Sequence, residues 1–84
     1  MVKPSRLFDL IVANPGQIVL FRDFERMLLA TGFEFKRQKG SHRSYRHPKL
    51  PMVVTVQPNG KDAEPYQVRA FVAIVREHAL EFDA

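Results

Sequence analysis

The chain contains no cysteine. That excludes disulfides, Cys-ligated zinc and a thiol nucleophile. With no disulfide framework, nothing points to an oxidising compartment, and a cytoplasmic location is expected. No apolar run approaches the roughly 20 residues that span a bilayer, and the opening Met1-Val2-Lys3-Pro4-Ser5-Arg6 lacks the uninterrupted apolar stretch of a signal peptide. Internal repeats, low-complexity tracts and linkers are also missing. Acidic residues are absent between Glu34 and Asp62. What remains is 84 residues, 45% hydrophobic and 26% charged, which is ordinary for one small folded domain.

The window without acids is crowded with cations. Lys36, Arg37, Lys39, Arg43, Arg46 and Lys49 fall within it, together with His42 and His47. Asp23 and Glu25 lie before it, and Glu77, Glu81 and Asp83 after it. A net charge of +4 is moderate, but this segregation gives one face a positive potential. The usual partner of such a face is a polyanion, most often nucleic acid. A membrane surface is not expected, because the basic stretch reads as strands and lacks an amphipathic helix.

Periodicity gives the element order. Leu7, Leu10 and Ile11 recur at helical spacing over Ser5 to Ala13, with Ser5 as N-cap, and Asn14-Pro15-Gly16 ends that helix. A second helix is expected over Arg22 to Thr31, with Phe24, Met27, Leu28 and Thr31 as its apolar stripe and Gly32 just past its end. Phe33 to Gln38 alternates apolar and polar, as a half-buried strand does. Lys39-Gly40-Ser41 reads as a tight hairpin turn, His42 to His47 as a second strand, and the β-branched Met52 to Gln57 as a third. Pro58-Asn59-Gly60-Lys61 reads as a turn, and Pro65 opens a last helix, Tyr66 to about Leu80, with Val68, Phe71, Val72 and Val75 on one stripe. The expected class is α+β: a three-stranded antiparallel sheet with helices on one face and the other face open.

Strand parity sorts the side chains. Tyr45 lies three residues past His42, hence on the opposite face, and is expected in the core. His47, before Pro48, is expected to be structural, and His78 near the end of the last helix complements its dipole. His42 and His47 lie on opposite faces, so a zinc site built on them is not expected, and no metal or other cofactor is expected. Phe24, Phe33, Phe35 and Phe71 are assigned to the core. Parity groups Arg37 with Phe33 and Phe35, and Lys36 with Gln38.

The stretch Gly32 to Pro48, with Gly40-Ser41-His42 and Tyr45 three residues on, resembles the signature of the HicA toxin family. The downstream Val54-Thr55-Val56, Gly60-Lys61 and closing helix are similar to that family's later elements. The resemblance runs from about Arg22 to Leu80, so that residues 21–80 read as a HicA-like core and residues 1–20 as an N-terminal helical extension of the same domain. It implies a double-stranded-RNA-binding-like α-β-β-β-α fold, preceded here by an extra helix. It implies a messenger RNA interferase, an endoribonuclease that needs no metal and is neutralised by a HicB-like antitoxin. The residue on which the family depends maps onto His42. Two positions depart from the family pattern. The loop Gln57 to Lys61 has no second His, and the last helix opens Glu64-Pro65-Tyr66-Gln67-Val68.

The chemistry suits these residues. Metal-free RNA cleavage needs the 2′-hydroxyl made nucleophilic and the leaving oxygen protonated, and a His can do either. Lys39, Arg37 and Arg43 could stabilise the charged phosphate. Ser41 could orient the imidazole or donate to a phosphate. Arg37, Lys39, Gly40, Ser41, Arg43 and Arg46 form the expected RNA-contacting set. The alternative is an RNA-binding module of the same fold that does not cleave.

Overall fold

The computed structural model describes residues 2–83. Its elements are α1 (Pro4–Ala13), α2 (Phe21–Ala30), β1 (Glu34–Lys39), β2 (His42–Arg46), β3 (Val53–Val56), β4 (Pro58–Asn59), β5 (Asp62–Ala63) and α3 (Pro65–Glu77). Strands β1, β2 and β3 form one antiparallel sheet in that order, and β4 and β5 form a separate small hairpin. Leaving β4 and β5 aside, the order after α1 is the expected α-β-β-β-α.

Helix α1 opens one residue earlier than expected. Pro4 takes the first helical position, Lys3 is the N-cap, and Ser5 makes no cap. Proline fits there because its missing N–H would have no helical partner. Helix α2 buries Phe21, Phe24, Met27 and Leu28. Thr31 follows it, buried, with its hydroxyl donating to the carbonyls of Met27 and Leu28, both at 3.0 Å. Pro58 to Lys61, expected as a plain turn, belongs to the β4–β5 hairpin. That hairpin clasps the start of α2: Phe21 N–H donates to Lys61 O at 2.9 Å and Ala63 N–H to Val19 O at 2.8 Å.

All three helices feed one apolar cluster on one side of the sheet. Phe24, Phe33 and Phe71 meet there edge-on or tilted, with Tyr45 and Val56 rising from the strands. Helix α1 adds Leu7 and Ile11 to the same cluster. Its Phe8 packs on Phe71 and on Phe82, with ring centroids 6.1 and 5.2 Å apart. Helix α1 therefore does not stand apart from the core but caps it. Burying a Phe or Leu in such a cluster contributes about 1.5–3 kcal/mol each.

Strand β1 departs from plain alternation. Phe35 pairs with Tyr45, yet Arg37 pairs with Ser44, so Lys36 is an extra residue in a β-bulge. A bulge reverses which residues face which side from that point on. Arg37 and Lys39 are thereby turned to the side away from the helices, and the parity that grouped Arg37 with Phe35 is corrected. Phe35 is corrected too. It leans on Tyr45 with centroids 5.7 Å apart but remains 49% exposed, because the helices do not cover that edge of the sheet.

Candidate nucleic-acid interface and its histidine

His42 opens β2, directly after the two-residue turn Gly40-Ser41, and its side chain is exposed. Gly40 takes φ +60°, which a two-residue hairpin turn needs and glycine supplies without strain. The Gln38 side-chain amide donates to Gly40 O at 2.9 Å and braces the turn from within. Lys39 pairs directly across from His42. Cross-strand partners share a face, with Cβ atoms about 4.5–5.5 Å apart.

The register sorts the rest. Ser44 and Arg46 follow His42 at two-residue spacing, so all three share the open face. Arg37 stands opposite Ser44 there, and Thr55 and Val53 of β3 stand opposite Ser44 and Arg46. Ser44 Oγ and Thr55 Oγ1 lie 3.4 Å apart. The structure thus brings Arg37, Lys39, Gly40, Ser41, His42 and Arg46 to one side of the molecule.

Arg43 is placed elsewhere. It lies on the helix-facing side, paired with buried Val56. Its Nη1 donates to Glu25 Oε2 at 2.5 Å and its guanidinium sits 5.5 Å over the Phe21 ring. The hydrogen bond to Glu25 holds Arg43 above its ordinary pKa, against the opposing effect of burial. The Tyr45 hydroxyl donates to the same Glu25 oxygen. Burial, helped by Glu25, pushes the phenol from 10.0 up to about 12. Tyr45 is a core residue that stays protonated, on the face opposite His42, as parity requires.

His47 is buried and fully engaged. Its Nε2 donates to Thr31 O at 2.9 Å, its Nδ1 accepts the Lys49 N–H at 3.1 Å, and its ring meets Phe33 edge-on. Gly32, at φ +99°, passes so close that a Cβ would lie 2.8 Å from His47 Nε2. Among the described residues, no group of three His, Asp or Glu side chains is placed to hold a metal ion, and no helix is long and apolar enough to cross a membrane.

Three participants escaped the sequence reading. Glu25, the partner of Arg43, is a helix residue whose contact depends on tertiary packing. Ser44 was available from its parity with His42. Thr55 becomes visible only once the β2–β3 register is known.

Comparisons with curated proteins and with solved structures return no match. A family model does match, described as HicA toxin of bacterial toxin-antitoxin, over residues 21–77. The match opens at Phe21, where α2 begins, and closes at Glu77, where α3 ends. It takes in the hairpin, His42 and the whole sheet, and the chain belongs to the HicA toxin family.

Proposed function

We propose that this toxin is an endoribonuclease that cleaves messenger RNA in the cytoplasm without a metal, with His42 as its general acid–base. A HicB-like antitoxin would neutralise it by covering the His42 surface. Membership of a toxin family that works with antitoxins supports the toxin role and an antitoxin partner. The observation that carries the catalytic reading is the position of His42: exposed, at the end of a strand braced by a tight turn, with Lys39 directly across on the same face. A side chain so placed is held by the sheet yet open to substrate.

In this reading the 2′-oxygen attacks phosphorus and the bond to the 5′-oxygen breaks. His42 takes the proton from the 2′-hydroxyl or supplies one to the leaving oxygen, and water serves the other transfer. Lys39 and the N–H groups of the Gly40-Ser41 turn stabilise charge building on the phosphate. Arg43, bound to Glu25 on the other side of the sheet, has no part in this step.

The test compares the wild-type protein with His42→Ala on a mixed-sequence RNA in EDTA. Fragments from the wild type alone are expected. His42 is exposed, so the variant should melt within about 0.5 kcal/mol of wild type. An RNA that stays intact yet shifts in a gel would replace this reading with that of a binding module.

A further inference from the structure

The open sheet face carries more than the hairpin chemistry uses. A shallow groove there is lined by Lys36, Arg37, Ser44, Arg46, Val53 and Thr55. Its charge is unevenly committed. Lys36 is bound to Glu34 at 3.0 Å. Among the described residues, no carboxylate lies within ion-pair distance of Arg37 or Arg46. The Arg37 position faces Ser44, and Arg46 stands two residues further along β2. The two arginines are therefore diagonal neighbours, roughly 7–8 Å apart at their backbones. Beside them the Ser44 and Thr55 hydroxyls meet across β2 and β3, and Val53, 48% exposed and opposite Arg46, closes the far end. From His42 to Arg46 is four residues of strand, about 13 Å.

We infer that this groove is an RNA track: a short single-stranded segment leaves His42 and crosses the open sheet face, its phosphates held by Arg37 and Arg46. The Ser44 and Thr55 hydroxyls meet its sugars or base edges, and Val53 gives an apolar surface to the last base. The inference rests on the ribonuclease reading of His42 for where the strand starts. Charge complementarity favours this occupant. Among the described residues neither guanidinium is held in an ion pair, since Glu34, directly across from Arg46, is bound to Lys36, and both present planar forks, the geometry that grips phosphate through paired hydrogen bonds. The hydroxyls beside them can donate and accept, as bases and 2′-hydroxyls require. The span suits a few nucleotides of an unpaired strand, not the two successive minor grooves that a duplex-binding surface contacts. The bulge at Lys36 creates the track, because regular alternation would turn Arg37 to the helix side.

The experiment uses the full chain carrying His42→Ala, so that RNA survives, and a labelled mixed-sequence single-stranded oligoribonucleotide. Fluorescence anisotropy is read over a salt series for Arg37→Gln, Arg46→Gln, the double variant and Thr55→Glu. Arg76→Gln, on the exposed side of α3, is the control, and circular dichroism and melting confirm matched folding. For single strands the slope of log affinity against log salt is about 0.7 per phosphate contact, so the double variant should flatten it by about 1.4. Thr55→Glu should weaken binding, and Arg76→Gln should change neither affinity nor slope. An unchanged slope in the double variant, or an equal change with Arg76→Gln, overturns the track and leaves the face to a protein partner. Cleavage by the His42 protein is measured alongside. Loss of slope without any cleavage would sink the nuclease reading and keep the track; cleavage with an unmoved slope would do the reverse.

Discussion

Glu25 and Tyr45 are joined across the helix–sheet interface, the Tyr45 hydroxyl donating to the Glu25 carboxylate that also binds Arg43. Tyr45 is almost wholly buried, and its folded-state pKa of about 12 stands above the ordinary 10.0. A raised pKa means that the folded state holds the proton more tightly than the unfolded chain does. The resulting stability is fully present below pH 10 and is lost as pH climbs through 12. Alkaline titration followed by tyrosinate absorbance should show one late component with a midpoint near 12, absent in Tyr45→Phe. Tyr45→Phe should also cost about 1.5–3 kcal/mol, as removal of a hydrogen bond to a charged group does. A melt as stable as wild type would refute that share of the argument.

Arg43 lies one residue from His42 but serves the fold. Arg43→Gln should lower stability by about 1–2 kcal/mol through loss of its charged hydrogen bond to Glu25. Its effect on RNA affinity should be much smaller than that of Arg46→Gln. Parallel melts and anisotropy titrations check both halves, and an Arg43→Gln protein that melts normally but binds RNA poorly would return Arg43 to the RNA-contacting set.

Gly32 is required twice over. Its φ of +99° disfavours any L side chain, and its missing Cβ leaves room for the His47 ring. Gly32→Ala should destabilise by about 2 kcal/mol or more, the left-handed backbone alone accounting for about 1–2. Urea denaturation measures this. Pairing it with His47→Ala should relieve the clash but not the backbone strain, so the two losses should fall short of additive.

Ala79 offers the opposite change. It follows the α3 C-cap His78 at φ +51°, and Leu80 N–H donates to Val75 O at 3.0 Å, the pattern of a Schellman ending. Glycine is the residue best suited to that position. Ala79→Gly should raise stability by about 0.5–1 kcal/mol despite glycine's greater unfolded-state freedom. An unchanged or lower melting temperature would argue against it.

Much of this was legible in the residues themselves. The stripes Phe24-Met27-Leu28-Thr31 and Val68-Phe71-Val75 repeat at helical spacing, and their burial follows from it. Gly40-Ser41 between two alternating runs marked the hairpin, and three-residue spacing set Tyr45 and His42 on opposite faces. The Lys36 bulge left no such mark. Nothing in Phe35-Lys36-Arg37 distinguishes an inserted residue from regular alternation, because the insertion is defined by the partner strand. Hence the position of Arg37 was misread, while Lys39 could be placed beside His42 from the turn alone. The β4–β5 hairpin was missed because two-residue strands carry no period. The Glu25–Arg43 contact was missed because it joins residues 18 apart in the chain.

The pairing of Phe8 with Phe82 has a practical side. It joins α1 to the segment after α3 on the helical layer, where Arg26 also donates to Val2 O at 2.8 Å and Asp83 N–H to Ala30 O at 2.8 Å. A fluorophore carried on a cysteine introduced at Val2 or Asp83, both exposed, therefore sits on the helical layer. The face bearing His42 and the arginines stays clear, so a dye at either position should report on that face without obstructing it.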